Sequence, residues 1–511
     1  MIRIKHLFRW GILMSLLPVS SFAQISTRDN IRPNVIYILA DDMGYGDVSC
    51  LNQAAKTRTP NLDALAREGM TFTDAHAPAS LCTPTRYGLL TGRYAWRGAL
   101  KKGVSRQYDP PLIDPERYTV GRLFQDAGYA TACIGKWHLG WDWPLKNGGL
   151  VSDSMNDPDA DVARRLAIEK QIDFTKPILN GPTTRGFDQY FGDDVPNYPP
   201  YAFIENDRLT RQPDGYKPDS MYGHPGRMVS GWRLDAVMPE LTRRAVDYID
   251  QMAAAKRPFF LYFSLTSPHV PIAPSESFRG KSAAGAYGDF VEETDAAVGS
   301  VIAALRAAGI DRNTIIILTS DNGSPAQDGS AMAGAFNSVQ RFGHEPNRPF
   351  RGMKTDLWEG GHHVPFLVRW PEKVRAGSRT NETVCHTDFI ATSASILGIS
   401  IPHGEAADSY DMMPLLAEKH TRKYKRPYTI HHSSEGLFAI RKGRWKLIEA
   451  GHSGGGLVPR VQETFNGHPV DMQLYDLQRD PGEQKNLILK RPGKARKLQQ
   501  ELVAAKNGTS R

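Results

Sequence analysis

Asn34-Val-Ile-Tyr-Ile-Leu-Ala40-Asp41-Asp42 is an unbroken apolar run, rich in β-branched residues, that ends on two adjacent carboxylates. A run of this length and kind reads as a strand buried on both faces. Similar runs recur at Ala130 to Ile134, Pro258 to Leu265 and Thr314 to Leu318. Helical patterns fall between and around them, at Asn61 to Gly69, Arg86 to Leu90, Val120 to Ala127, Met238 to Ala255 and Asp289 to Ala308. The alternation predicts an α/β fold, a sheet covered by helices on both faces. In open α/β sheets ligands bind beyond the carboxyl ends of the strands, so the residues just after each run matter most. All four are polar: Asp41-Asp42, then Gly135-Lys136-Trp137-His138, then Ser267-Pro268-His269, then Ser320-Asp321-Asn322-Gly323.

The 511 residues are 40% hydrophobic and carry a formal net charge of +8. This is enough chain for one large domain and a smaller one. Arg3, Lys5 and Arg9 lead into the apolar run Trp10 to Val19, and Ser21-Phe22-Ala23 follows, which fits an export signal over 1–23 and a linker over 24–32. Export would place the protein in the periplasm or outside the cell. No later segment reaches the ~20 apolar residues needed to cross a bilayer, so no membrane-spanning role is expected. The modest basic surplus suits a polyanionic ligand, and no nucleic-acid partner is expected. Cys50, Cys82, Cys133 and Cys385 show neither metal-site spacing nor a disulfide framework. Beyond residue 405 the pattern changes to strands and turns at Gly436 to Ala450 and Met472 to Leu477, then a helix over Pro492 to Ala505. The expected organisation is a catalytic domain over 33–405 and a C-terminal α+β subdomain over 406–511. Leu145 to Arg233 is rich in Pro, Gly, Asp and Asn and reads as an irregular insert suited to substrate selection.

Cys82-Thr83-Pro84-Thr85-Arg86-Tyr87-Gly88-Leu89-Leu90-Thr91-Gly92-Arg93 is the most specific stretch of the chain. It resembles the CxPxR signature of the type I sulfatases, with Thr85 where serine is commonest. The resemblance extends to the Leu474-Tyr475-Asp476-Leu477 segment and covers nearly all of the expected mature chain. It implies an alkaline-phosphatase-like fold, a large mixed β-sheet sandwiched by helices with a smaller C-terminal α+β domain. It also implies a sulfuric ester hydrolase in which a maturation enzyme, reading CxPxR in the unfolded chain, oxidises Cys82 to formylglycine. A hydrated aldehyde offers two hydroxyls on one carbon, one to attack sulfur and one to expel sulfate.

Adjacent carboxylates at a buried strand end repel one another unless a cation neutralises them. Asp41, Asp42, Asp321 and Asn322, with the modified Cys82, form an oxygen-rich ligand set that favours Ca²⁺, with Mg²⁺ as second choice. Arg86 lies one helical turn from Cys82. By resemblance, Lys136 contacts sulfate, His138 takes the proton from the second hydroxyl, and His269 and Lys354 bind ester oxygens. His269 is preferred as the acid, since a histidine pKa is easily placed near working pH. Glu359-Gly360-Gly361-His362-His363-Val364-Pro365 departs from the family's EGGxRxP, and the His pair reads as packing and hydrogen bonding rather than a second metal site.

Tyr87 to Arg97, Gly140-Trp141-Asp142-Trp143-Pro144 and Pro199-Pro200-Tyr201 through Glu205-Asn206-Asp207 look like bacterial sulfatases of the galactosamine-6-sulfatase type. They imply a sulfated carbohydrate, with 6-O-sulfated galactose or N-acetylgalactosamine preferred. The tryptophans near Gly140 are expected as sugar platforms, and Asp193, Asp194, Asn197 and His224 as sugar contacts. Two rivals remain: a phosphonate or phosphate ester hydrolase with the same nucleophile, and an inactive glycan-binding homologue in which Cys82 stays unmodified.

Overall fold

Along the first strand, β1 (Asn34–Asp41), Val35, Tyr37 and Leu39 enter one hydrophobic core while Ile36, Ile38 and Ala40 enter a second. The side-chain alternation of one strand thus feeds two cores, because the sheet is covered on both faces. The computed structural model describes Met1 and residues 32–155, 160–418 and 424–508. Apart from Met1 and Arg32, the expected export signal and linker lie outside the described residues.

The main sheet has ten strands. In chain order they are β1, β2 (Met70–Phe72), β3 (Ala130–Gly135), β4 (Gln189–Gly192), β5 (Ile204–Glu205), β6 (Arg208–Leu209), β7 (Phe259–Pro268), β8 (Thr314–Ser320), β9 (Phe366–Arg369) and β10 (Ser378–Thr380). The spatial order is β10-β2-β9-β8-β1-β7-β3-β4-β5-β6. The centre, β8-β1-β7-β3-β4, is parallel. Antiparallel pairing enters at β9 on one side and at β5 on the other. All four strands expected from the sequence are therefore central and parallel, as continuous apolar runs should be.

Helices packed around the sheets include α1 (Pro60–Glu68), α2 (Cys82–Thr91), α3 (Val120–Asp126), α4 (Val237–Ala254), α5 (Gly285–Ala307), α6 (Phe389–Leu397) and α7 (Pro492–Lys506). Helix α4 buries Met238, Leu241, Ala245, Tyr248, Ile249 and Met252, the three- and four-residue spacing of an amphipathic helix. A C-terminal domain carries a separate antiparallel sheet of β11 (Thr429–His432), β12 (Phe438–Lys442), β13 (Trp445–Ile448) and β14 (Gln473–Asp476). Two sequence expectations change. Helix α2 starts four residues earlier than its apolar pattern suggests, at Cys82 itself. The insert is not wholly irregular, since β4, β5 and β6 extend the main sheet. Among the described residues no helix is long and apolar enough to cross a membrane.

Candidate active site

The carboxyl ends of β1, β7 and β8 meet the first turn of α2. Cys82 is the first residue of that helix and is buried, its Sγ 3.6 Å from Asp41 Oδ1 and 3.9 Å from Asp42 Oδ1. The helix stops at Gly92, whose φ of 64° is the left-handed conformation that glycine adopts at no steric cost. Asp42 takes the same region without being glycine, with φ 67°. That turn aims its backbone N–H at Asp321 Oδ1, 3.1 Å away, and its carboxylate towards Cys82.

Each carboxylate in the cluster has one close cation. Lys136 Nζ lies 2.7 Å from Asp41, and Lys354 Nζ 2.7 and 2.8 Å from the two oxygens of Asp42. Arg86 donates through Nε and Nη2 to Asp321 Oδ2 at 3.1 and 2.7 Å. It also bonds Ser264 and the Lys136 carbonyl. Three carboxylates against three cations make the cavity close to neutral as it stands. The donor set fits a hard cation: three carboxylates converge, and the Asn322 carbonyl oxygen is buried with no hydrogen-bond partner.

Lys136 and His138 stand two residues apart on a coiled rather than an extended segment. Gly135 and His138 both take positive φ, 111° and 56°, so the segment after β3 coils over the strand end. The Asp194 carboxylate holds this coil, accepting from the His138 N–H at 3.0 Å and Trp141 Nε1 at 3.1 Å. His138 Nε2 lies 2.9 Å from the Ser105 carbonyl, an acceptor, so Nε2 carries the proton and the lone pair is on Nδ1. Nδ1 is buried and unpartnered. Burial, then Lys136 and Arg86, push the His138 pKa well below its ordinary value, which suits a proton acceptor.

His269 Nε2 stands 3.7 Å from Asp42. Burial, then Lys354 and Lys136, push its pKa well down as well. Asp42 opposes this shift without cancelling it, so the site as it stands favours the neutral ring. No motif marks Ser264 or Ser105, whose contributions are a hydroxyl and a carbonyl set by the fold.

Of the expected sugar contacts Asp193, Asp194, Asn197 and His224, Asp194 is spent on the His138 coil, and His224 connects to His138 through one aromatic ring. The Tyr198 ring meets His138 edge-on at 6.1 Å and His224 at 4.9 Å between centroids. Both Asp193 carboxylate oxygens and Asn197 Oδ1 are buried without hydrogen-bond partners. Asn197 and His224 line a surface pocket with Lys217, Asp219 and Tyr222.

Comparison with known proteins bears on this geometry. Residues 33–399 match the family model described as Sulfatase, and residues 353–507 that described as N-sulphoglucosamine sulphohydrolase, C-terminal. The chain belongs to the sulfatase family. This sulfatase is 33% identical over 498 residues to the N-acetylgalactosamine-6-O-sulfatase of Bacteroides thetaiotaomicron, covering 93% of each chain. It is 32% identical to human arylsulfatase A, covering 89% of this chain and 83% of that one. A solved Bacteroides thetaiotaomicron sulfatase, from a study of the metabolism of multiple glycosaminoglycans, superposes with a TM-score of 0.77 at 29% identity, covering 93% of this chain and all of that one. The sulfatase is thus a sulfuric ester hydrolase, built on the alkaline-phosphatase-like fold.

One expectation about the sulfatase is overturned. Trp137, Trp141 and Trp143 are 1, 1 and 2% exposed, so they are core residues rather than sugar platforms. Trp141 packs so closely on Gly181 that a Cβ there would come within 1.8 Å of the indole. Trp141→Ala is therefore expected to cost about 3–5 kcal/mol in urea denaturation. A raised KM with an unchanged denaturation midpoint would restore the platform reading.

Asp193 gives a second prediction. Burial without a partner pushes its carboxyl up to about 7 from an ordinary 3.8. The folded protein then holds a proton that the unfolded chain has released, so stability falls as pH rises through that window. Asp193→Asn removes this cost. The variant should match the parent at pH 4 and exceed it by about 2–4 kcal/mol at pH 8, with divalent metal chelated in both. Equal stability at pH 8 would show that the carboxylate finds compensation in solution.

Proposed function

We propose that this sulfatase removes sulfate from carbohydrates, with 6-O-sulfated galactose or N-acetylgalactosamine of host glycans as the preferred ester, outside the bacterial cytoplasm. The sugar follows from the N-acetylgalactosamine-6-O-sulfatase relative, and the exported location from the basic and apolar N-terminal 23 residues. The observation that carries the chemistry is the convergence of Asp41, Asp42, Arg86, Lys136, His269, Asp321, Asn322 and Lys354 on Cys82. Oxidised to an aldehyde and hydrated, residue 82 supplies a hydroxyl nucleophile and a second hydroxyl whose deprotonation releases the product.

Asp41, Asp42, Asp321 and Asn322 would hold the cation, Ca²⁺ by their hard oxygen character. The cation supplies charge that lowers the pKa of a nearby hydroxyl and attracts sulfate oxygens. Charge counting favours sulfate over phosphate. Three carboxylates and three cations balance, so a divalent ion leaves the cavity near +2. A sulfate monoester and an ionised hydroxyl bring two negative charges, whereas a phosphate monoester dianion would bring three. Lys136 and Lys354, each on its own side of the carboxylate pair, orient the sulfate, and Arg86 fixes Asp321. His138 Nδ1 takes the proton from the second hydroxyl. His269 donates to the departing alcohol once sulfate beside it has raised its pKa.

Sulfate release from a panel of 2-, 3-, 4- and 6-sulfated monosaccharides tests the reading, with the 6-sulfates of galactose and N-acetylgalactosamine expected fastest. Absence of turnover on any sugar sinks the carbohydrate assignment. A phosphate ester cleaved faster than the sulfate of the same alcohol sinks the charge argument.

A further inference from the structure

A second group of buried ligating side chains lies apart from Cys82. His76, His362 and His431 are 0, 0 and 0% exposed and come from three separate segments: the two-residue strand Ala75–His76, the turn of helix Glu359–His362, and β11. One ring nitrogen from each lies within 4.8 Å of the other two. The Nδ1 atoms of His76 and His362 are 3.1 Å apart.

Each ring is held from behind by an oxygen. His76 Nε2 lies 2.7 Å from Asp74 Oδ1, His362 Nε2 3.2 Å from the Leu357 carbonyl, and His431 Nδ1 2.9 Å from the Ala77 carbonyl. When the outer nitrogens donate to these oxygens the inner ones keep lone pairs, the way metal-binding imidazoles are oriented; for His76 this requires Arg441 Nη1, 2.7 Å from its Nε2, to donate to Asp74 instead. Hydrogen bonding alone accounts for His76 and His362, one of whose Nδ1 atoms can donate to the other. It leaves His431 Nε2, fully buried, with no partner at all. An orphaned buried nitrogen is destabilising unless something fills its lone pair. His363 does not share this character, since its two nitrogens are spent on Glu359 and the Thr73 carbonyl.

We propose that His76, His362 and His431 form a second metal site that takes a borderline transition ion such as Zn²⁺ and ties the C-terminal sheet to the catalytic framework. Three imidazoles suit such an ion and not Ca²⁺, which prefers oxygen. The surrounding charge accommodates it. Asp74, Glu359 and Glu483 face Arg441 and Lys446, three carboxyls against two cations. Glu483, whose carboxyl burial holds above its ordinary range, is the group whose ionisation would offset an incoming dication. The His362 and His431 rings lie parallel, 3.7 Å apart, whereas a ligated ion lies in the plane of each imidazole. Binding therefore requires one ring to tilt. His431, held by a single hydrogen bond, is the ring that tilts. Lys446 Nζ, 3.1 Å from His362 Nε2, keeps Glu359 and Glu483 at 2.9 Å when His362 donates to Leu357 instead.

The test strips the protein of metal and reloads it with Co²⁺ in excess Ca²⁺, which occupies the oxygen-rich centre. One retained Co²⁺ per chain is expected by elemental analysis, with the visible absorption of a low-coordinate nitrogen-ligated ion. His431→Gln should weaken retention at least about tenfold and abolish the absorption, while Asp321→Asn leaves both. Wild-type protein that retains no Co²⁺ under these conditions, or equal retention by H431Q, overturns the proposal. Should H431Q fail to fold, the wild-type stoichiometry and spectrum decide.

Discussion

Cys82→Ala is expected to cut sulfate release by roughly 10⁴-fold or more and to leave the fold intact. The sulfur sits among Asp41 and Asp42 rather than in an apolar core, so its loss removes the reacting atom without opening a large cavity. Activity and the thermal midpoint should therefore separate, the first lost and the second shifted by a few degrees. Peptide mass spectrometry across residues 82 to 86 of the active wild type should show a loss of about 18 Da, the thiol-to-aldehyde difference. An alanine variant retaining a measurable share of activity would place the nucleophile elsewhere. An active protein with an unaltered thiol would remove the aldehyde from the reaction. An inactive one with an unaltered thiol would favour a binding protein.

Asp321→Asn is expected to damage both stability and turnover. The guanidinium of Arg86 and the carboxylate of Asp321 are each fully buried and 2.7 Å apart. With the charge removed, the nearest remaining carboxylate to Arg86 is Asp41 at 3.5 Å, already engaged by Lys136. Leaving a buried cation without its partner costs about 3–5 kcal/mol, which denaturant titration would read directly. The lost ligand should also reduce turnover by roughly 10³-fold through weaker cation binding. In the wild type a chelator should give the same loss reversibly, with Ca²⁺ restoring more activity than Mg²⁺. Chelator-resistant activity would exclude an exchangeable cation.

The four central strands were legible because each is an uninterrupted apolar run, and the polar residues after them were legible because parallel strands deliver their carboxyl ends to one edge. Cys82 and Arg86 could be paired from a four-residue spacing. What the sequence withheld was set by contacts between distant segments. The tryptophans of the Gly140 segment look the same whether they face a sugar or Gly181. The depressed pKa of His269 depends on burial and then on Lys354 and Lys136, neither of them near it in sequence. His362 reads as packing beside His363, and only folding brings it to His76 and His431.

Every residue of α2 from Cys82 to Thr91 is buried. On the proposed aldehyde chemistry, an enzyme that edits residue 82 could not grip this segment once the helix has docked, so the editing would have to precede collapse of the chain. Competence would then be decided once, during biosynthesis. On the same reading, a molecule that folds with its thiol intact would stay inert, and a host cell lacking the editing partner would produce a folded but silent protein.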